Sequence, residues 1–150
     1  MSKTQHSISS RGLDLVKSFE SFQANWYTCP AGKPTIGYGH VKRQGDGVVA
    51  PLSHDQALVL LRDDMATFEK DINLFVKVPL TQNQFDALCS FVFNVGFTNF
   101  RGSTLLEKLN AGDVAAAAQN FPRWIYANKQ PLEGLKRRRA AERALFEEAA

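Results

Sequence analysis

Residues 53–75 read SHDQALVLLRDDMATFEKDINLF. Leu58, Leu61, Met65, Phe68, Ile72 and Phe75 follow one another at alternating spacings of three and four, which lays a single apolar stripe along an α-helix. Ser53 and Gln56 form a capping-box pattern at its start. At about 1.5 Å per residue, roughly 22 residues reach about 33 Å, long enough to bridge two lobes of a small protein; the alternative is a helix lying across one core.

Downstream, Pro79 breaks that helix and Thr81 with Gln84 starts another. Its apolar residues Phe85, Leu88, Cys89, Phe91, Val92, Phe93 and Val95 leave almost no polar face, so it reads as the buried central helix, closed by Gly96. Thr104 with Glu107 caps a short helix ending at Gly112, Asp113 begins another that Pro122 stops, and a last helix runs from about Leu132 to Glu147. Upstream, Leu13, Val16, Phe19 and Phe22 recur every three residues, predicting a short helix from Ser10 to Gln23 that Asn25 ends. Residues 35–41 alternate as a strand after a Pro/Gly turn, so a small hairpin is expected; residues 42–51 are a loop or a short further strand. The pattern has no internal repeat and predicts an α+β fold, mainly α, with one small sheet near residues 26–50.

The 150 residues suit one domain, and 44% hydrophobic content supplies a core. With 22% charged residues and no low-complexity tract, wholesale disorder is excluded. No apolar run approaches a bilayer span and MSKTQHSISS lacks the apolar core of a signal peptide, so the expectation is a soluble cytoplasmic protein. Cys29 and Cys89 lack metal-ligand spacing, which indicates neither a disulfide framework nor a zinc site and leaves a single bridge open. A net charge of +3 suits an anionic partner: a cell wall, a membrane surface or nucleic acid.

Glu20 falls in the last turn of the first predicted helix, where the macrodipole disfavours negative charge, between the apolar Phe19 and Phe22. Both influences favour a protonated carboxyl, which a glycosidase needs to protonate a leaving oxygen. The alternative is a solvated surface glutamate. On a strand, Thr35, Gly37 and Gly39 share one face while Ile36, Tyr38 and His40 share the other. One face is then nearly bare backbone beside a hydroxyl, either a place of close ligand approach or ordinary turn chemistry and close packing.

Glu20, eight residues, Cys29, five residues, Thr35 and then TIGYGH resembles the catalytic segment of the phage-type lysozymes, glycoside hydrolase family 24. FVFNVG at 91–96, PRW at 122–124 and GLKRRRAAERALF at 134–146 extend the likeness to the whole chain from residue 10. The resemblance implies a single lysozyme-like catalytic domain over 1–150: a hairpin-bearing lobe at about 24–52, a linking helix at about 53–76, and a helical lobe at about 77–150 joined by the helix at about 10–23. It implies an endolysin that hydrolyses the β-1,4 bond between N-acetylmuramic acid and N-acetylglucosamine of peptidoglycan, causing host lysis. By position, Glu20 is the general acid, Thr35 holds the attacking water, and Cys29 completes the catalytic set. Gly37, Asn94 and Arg138 are the expected substrate-binding residues, Asn94 on the cleft wall with its amide towards an N-acetyl or hydroxyl group. No metal and no cofactor are expected.

Cys29 stands where better-known members carry aspartate, although the family pattern admits either. An unperturbed thiol, with a pKa near ~8.5, is only a few per cent thiolate at neutral pH, and a nearby carboxylate raises that value, so Cys29 is a poor substitute for a fixed charge. It positions the water, attacks the sugar as a thiolate, or merely packs. Attack implies retention and a held water implies inversion; positioning with inversion is the favoured reading. Cys89, on the apolar helix, is a core residue.

Lys136, Arg137, Arg138 and Arg139 suggest nucleic-acid binding at first sight. On a helical wheel, however, Arg139 and Glu142 lie within the face set by Leu135 and Phe146, with Arg138 at its edge. Glu142 has i,i+4 spacing from Arg138 and i,i+3 from Arg139. The resemblance implies that an arginine of this helix reaches the catalytic glutamate, and Arg138 is the best match. His40 is expected to pair with Asp64, or with Asp63, in a structural role; a general base is the sharper alternative.

Two further readings stand beside hydrolysis. A lytic transglycosylase, leaving 1,6-anhydromuramic ends, also needs one glutamate and no partner carboxylate. A basic helical module that binds nucleic acid or wall polymer without catalysis would leave Glu20 and the glycine-faced strand without a task. The expected partners are peptidoglycan glycan strands, with no nucleic acid and no stable membrane insertion. A monomer is expected to wait in the host cytoplasm and to reach the wall through a holin.

Overall fold

The computed structural model describes residues 5–148. In chain order it contains α1 (Ser10–Phe19), β1 (Gln23–Thr28), β2 (Pro34–Gly37), β3 (His40–Val41), α2 (His54–Phe75), α3 (Gln82–Val95), α4 (Phe97–Arg101), α5 (Thr104–Asn110) and α6 (Val114–Gln119). A 3-10 turn (Phe121–Arg123), β4 (Tyr126–Ala127), β5 (Gln130–Pro131) and α7 (Glu133–Glu147) complete it. This is a mainly helical α+β fold, as the sequence pattern predicts.

The two capping boxes form as read. Ser53 Oγ accepts from Gln56 N at 3.1 Å while Gln56 Oε1 accepts from Ser53 N at 2.8 Å, and Thr81 with Gln84 repeats the arrangement at the head of α3. Every residue from Phe85 to Val92 is buried, so α3 is the central helix, packed by α7, α1 and α2. Phe91 anchors an edge-on aromatic cluster, with ring centroids 5.3 Å from Phe121, 5.8 Å from Trp124 and 6.4 Å from Phe100.

Several boundaries differ from the sequence expectation. α1 stops at Phe19 rather than Gln23, because Gln23 already pairs with Gly37 in the three-stranded antiparallel sheet β1-β2-β3. The stretch 35–41 is not one strand: Gly37 and Gly39 adopt φ of +69° and +86°, and the chain turns at Tyr38–Gly39 so that Ile36 faces His40 and Thr35 faces Val41. The assignment of alternate faces across 35–41 therefore fails at the turn. Residues 42–51 form a loop without a strand. Ser103, not Thr104, caps α5 by accepting from Leu106 N at 3.1 Å. The sequence reading omitted α4 and the β4–β5 ribbon, whose turn residues Asn128 and Lys129 have φ of 51° and 67°.

Candidate active site

A cleft of about 470 Å³ opens between the β2–β3 hairpin, α2 and α3, with Glu20, Gly39, Asp64, Phe68, Phe93 and Asn94 among its walls. A second groove of about 660 Å³ shares Glu20 and Asn94 and continues along the start of α7 past Leu132, Gly134 and Arg137. Glu20 and Asn94 thus sit where the two meet.

Glu20 takes this position because α1 ends one residue earlier. Its backbone turns extended (φ −101°, ψ 122°) while its N–H still closes the helix on Val16 O at 3.0 Å. Gly39 leaves room for the carboxylate: a Cβ there would lie 3.1 Å from Glu20 Oε2, in a left-handed backbone that a side chain rarely adopts. Arg138 Nη1 donates to Glu20 Oε1 at 2.9 Å.

Arg138 is itself held on every side. Its Nη2 donates to Ser90 O at 3.0 Å, its Nε donates to Glu142 Oε2 at 3.2 Å, and its guanidinium lies 5.7 Å from the centre of the Phe19 ring. Glu142, with no exposed surface, also accepts from Ser90 Oγ at 2.6 Å and faces Arg139 Nε at 3.0 Å. Burial pushes the Glu142 carboxyl up, against the pull of Arg139 and Arg138. Burial likewise pushes Arg139 down to about 10, opposed by Glu142. Arg139 Nη2 donates to Asn94 Oδ1 at 2.6 Å. Lys136 and Arg137 are exposed.

Cys29 lies at the β1–β2 turn and Thr35 on β2, opposite Val41 of the cleft wall, and neither lines either groove. The turn is tied by Cys29 N to Lys33 O at 2.9 Å and Gly32 N to Cys29 O at 2.8 Å, and Thr35, 3% exposed, donates to Lys33 O at 3.0 Å. The Cys29 thiol is pulled below its ordinary value by the Lys33 backbone N–H, then by the Thr35 hydroxyl. This reverses the sequence expectation, in which a carboxylate raised it: the donors come from the turn itself, and they favour the thiolate. Gly37, expected at the substrate, points elsewhere: a Cβ there would meet Ala57 Cβ at 3.4 Å and Leu52 Cδ1 at 3.5 Å, on the α2 side. Cys89 has no exposed surface, and burial pushes its thiol well up. Both cysteines are free.

His40 is a buried strut of the cleft wall, its Nδ1 2.8 Å from Asp64 Oδ2 and its Nε2 2.9 Å from Asp46 Oδ2. Asp64 is the partner the sequence suggests; Asp46 was missed, because it sits in a loop whose fold the sequence does not specify. Asp46 also accepts from Arg43 N at 3.0 Å and Val48 N at 3.2 Å, and these donors, the Arg43 amide first, hold its carboxyl well below the usual range. Burial pushes Asp64 up, against the His40 hydrogen bond. Among the described residues no group of His, Cys, Asp or Glu side chains is arranged to hold a metal ion, and no helix is long and apolar enough to cross a membrane.

Residues 17–142 match the family model for phage lysozyme. The chain belongs to the phage lysozyme family. Within the family it is 47% identical over 146 residues to the endolysin of Acyrthosiphon pisum secondary endosymbiont phage 1, covering 95% of this chain and 99% of that protein. The muramidase domain of SpmX from Asticaccaulis excentricus superposes with a TM-score of 0.87 at 41% identity, covering 96% of this chain and 99% of that one. A lysozyme variant of Salmonella phage P22 superposes with a TM-score of 0.84 at 41% identity, covering 94% and 98%. The chain is a glycoside hydrolase of the lysozyme, or muramidase, type.

Proposed function

We propose that the chain is an endolysin that hydrolyses the β-1,4 bond between N-acetylmuramic acid and N-acetylglucosamine of peptidoglycan, with Glu20 as general acid. The observation that carries this reading is the placement of Glu20 at the junction of the two grooves, one carboxylate oxygen on Arg138 and the other beside the bare backbone of Gly39. A glycan laid through both grooves has the bond between two sugars at Glu20. Sugar rings on one side meet Phe68 and Phe93, and on the other the exposed Leu132 and Arg137.

In this mechanism Glu20 gives its proton to the leaving oxygen, and a water attacks the anomeric carbon from the opposite face with inversion. Cys29 and Thr35 hold that water. Thr35 spends its single hydroxyl proton on Lys33 O or on the Cys29 sulfur, so towards the water it is an acceptor. The Lys33 N–H and the Thr35 hydroxyl shift the Cys29 thiol towards its ionised form, which strengthens it as an acceptor for the water.

The single catalytic domain spans 1–150, acts as a monomer, and reaches the wall through a holin; expression with and without a holin, followed by lysis, tests the last point. Glu20→Gln tests the central assignment: cleavage of purified peptidoglycan should fall by about 10²–10⁴-fold, with wall binding and melting temperature near the parent's. A variant that clears walls at the parent rate would remove Glu20 from the chemistry.

A further inference from the structure

Asn94 stands at the meeting point of the two grooves, and its amide has a hydrogen-bond donor end and an acceptor end. Which end faces a sugar decides what that sugar must offer. The neighbour that sets it is Arg139, one residue beyond the arginine that reaches Glu20. A guanidinium has only donors, so the Asn94 atom 2.6 Å from Arg139 Nη2 is the oxygen. The amide NH₂ then points the other way, and among the described residues no protein acceptor meets Asn94 Nδ2.

Arg139 cannot easily shift to another task. It is 1% exposed, its Nε lies 3.0 Å from Glu142 Oε1, and its guanidinium stacks 5.0 Å from the centre of the Phe91 ring. Its Nε and Nη1 are buried without hydrogen-bond partners, so Nε meets Glu142 Oε1 as an ion pair only and the hydrogen bond that the guanidinium makes is the one to Asn94. Glu142 therefore anchors two neighbouring arginines, one turned to the Glu20 carboxylate and one to the exposed Asn94 amide.

We infer that Arg139 is a positioning residue that locks the Asn94 amide with its NH₂ group towards the cleft, so that this wall selects glycan bearing an acetamido carbonyl and disfavours de-N-acetylated sugar. This rests on the muramidase reading of the cleft. An acetamido carbonyl is a strong acceptor that Asn94 Nδ2 can satisfy. A glucosamine ammonium offers only donors, and meets another donor.

The test is the ratio of kcat/KM on N-acetylated peptidoglycan to that on the same material chemically de-N-acetylated. Asn94→Leu, at an exposed site, should lower this ratio about tenfold, mainly through KM on the acetylated substrate. Asn94→Asp still pairs with Arg139 but presents an oxygen, and should lower the ratio further by accepting from the ammonium. Arg139→Met frees the amide to rotate and should lower the ratio about threefold in the parent, yet change it no further in the Asn94→Leu background. If Arg139→Met does not fold, Arg139→Lys keeps the buried cation beside Glu142 and is read in the same cycle. An unchanged ratio in Asn94→Leu overturns the selectivity. An equal fall on removing Arg139 with and without Asn94 overturns the positioning role. A parent enzyme that leaves both substrates uncut would instead sink the muramidase reading on which the inference rests.

Discussion

Cys29 shows how far a single residue's chemistry is set by backbone that its neighbours fold. From the sequence it reads as a thiol with ordinary acidity, made weaker by a nearby carboxylate. In the structure the Lys33 N–H and the Thr35 hydroxyl favour its ionised form, since residues 29–35 curl back on themselves. Spacing alone carries no trace of that curl. The thiolate fraction rises with pH through a midpoint that these donors lower. Alkylation of the native protein by iodoacetamide, followed by mass spectrometry, should therefore show a midpoint for Cys29 below that of a free thiol, and Thr35→Val should move it upwards. Cys89, buried, stays unmodified and does not confuse the reading. A midpoint unmoved by Thr35→Val would remove the hydroxyl from the thiol's environment.

Among the elements, α7 was legible because a helix repeats. Its period puts Arg139 and Glu142 inward with Arg138 at the edge of that face, and all three are buried. A basic run that suggests a polyanion site thus becomes half internal scaffold, with Lys136 and Arg137 left outside. Replacing Glu142 by glutamine removes the carboxylate shared by two buried guanidinium groups, leaving Arg138 with Glu20 alone and Arg139 with no carboxylate partner. Urea unfolding should show a loss of about 3–5 kcal/mol. A loss below about 1 kcal/mol would mean that Arg138 and Arg139 are held by their other partners alone.

The hairpin was less legible, because alternation does not say where two residues turn. Tyr38–Gly39 reverses the chain inside what reads as a strand, which is why Gly37 faces α2 while Gly39 faces Glu20. The β4–β5 ribbon escaped for a similar reason: Asn128 and Lys129 adopt left-handed backbone without the glycine that signals such a turn. In the following loop, Asp46 ties His40 to the Arg43 and Val48 amides. Its folded carboxyl is held below the unfolded value near ~3.9, so its stabilisation is present above that pH and is lost as pH falls towards the folded value. Asp46→Asn should lower the melting temperature at about pH 6, and the gap to the parent should begin to narrow below about pH 4 and keep shrinking as the pH falls further. A gap that stays constant with pH would mean that the ionised carboxylate is not what the loop uses.

Across the whole molecule, the long α2 and the apolar α3 were readable from period and capping alone, and they are the elements that place the cleft. The junction of the two grooves at Glu20 and Asn94 was not, since it depends on α1, α3 and α7 meeting from distant parts of the chain. The spacing of Glu20, Cys29 and Thr35 marked the region, but the last two line neither groove. Whether a water held there attacks the sugar is the claim on which the proposed mechanism turns.

The most direct measurement is mass spectrometry of fragments released from purified peptidoglycan in water enriched in oxygen-18. Reducing muramic acid ends carrying the label are the expected result, because hydrolysis places one solvent oxygen on the anomeric carbon. Unlabelled 1,6-anhydromuramic ends would contradict it, showing that the sugar closes on itself and that Cys29 and Thr35 hold no attacking water.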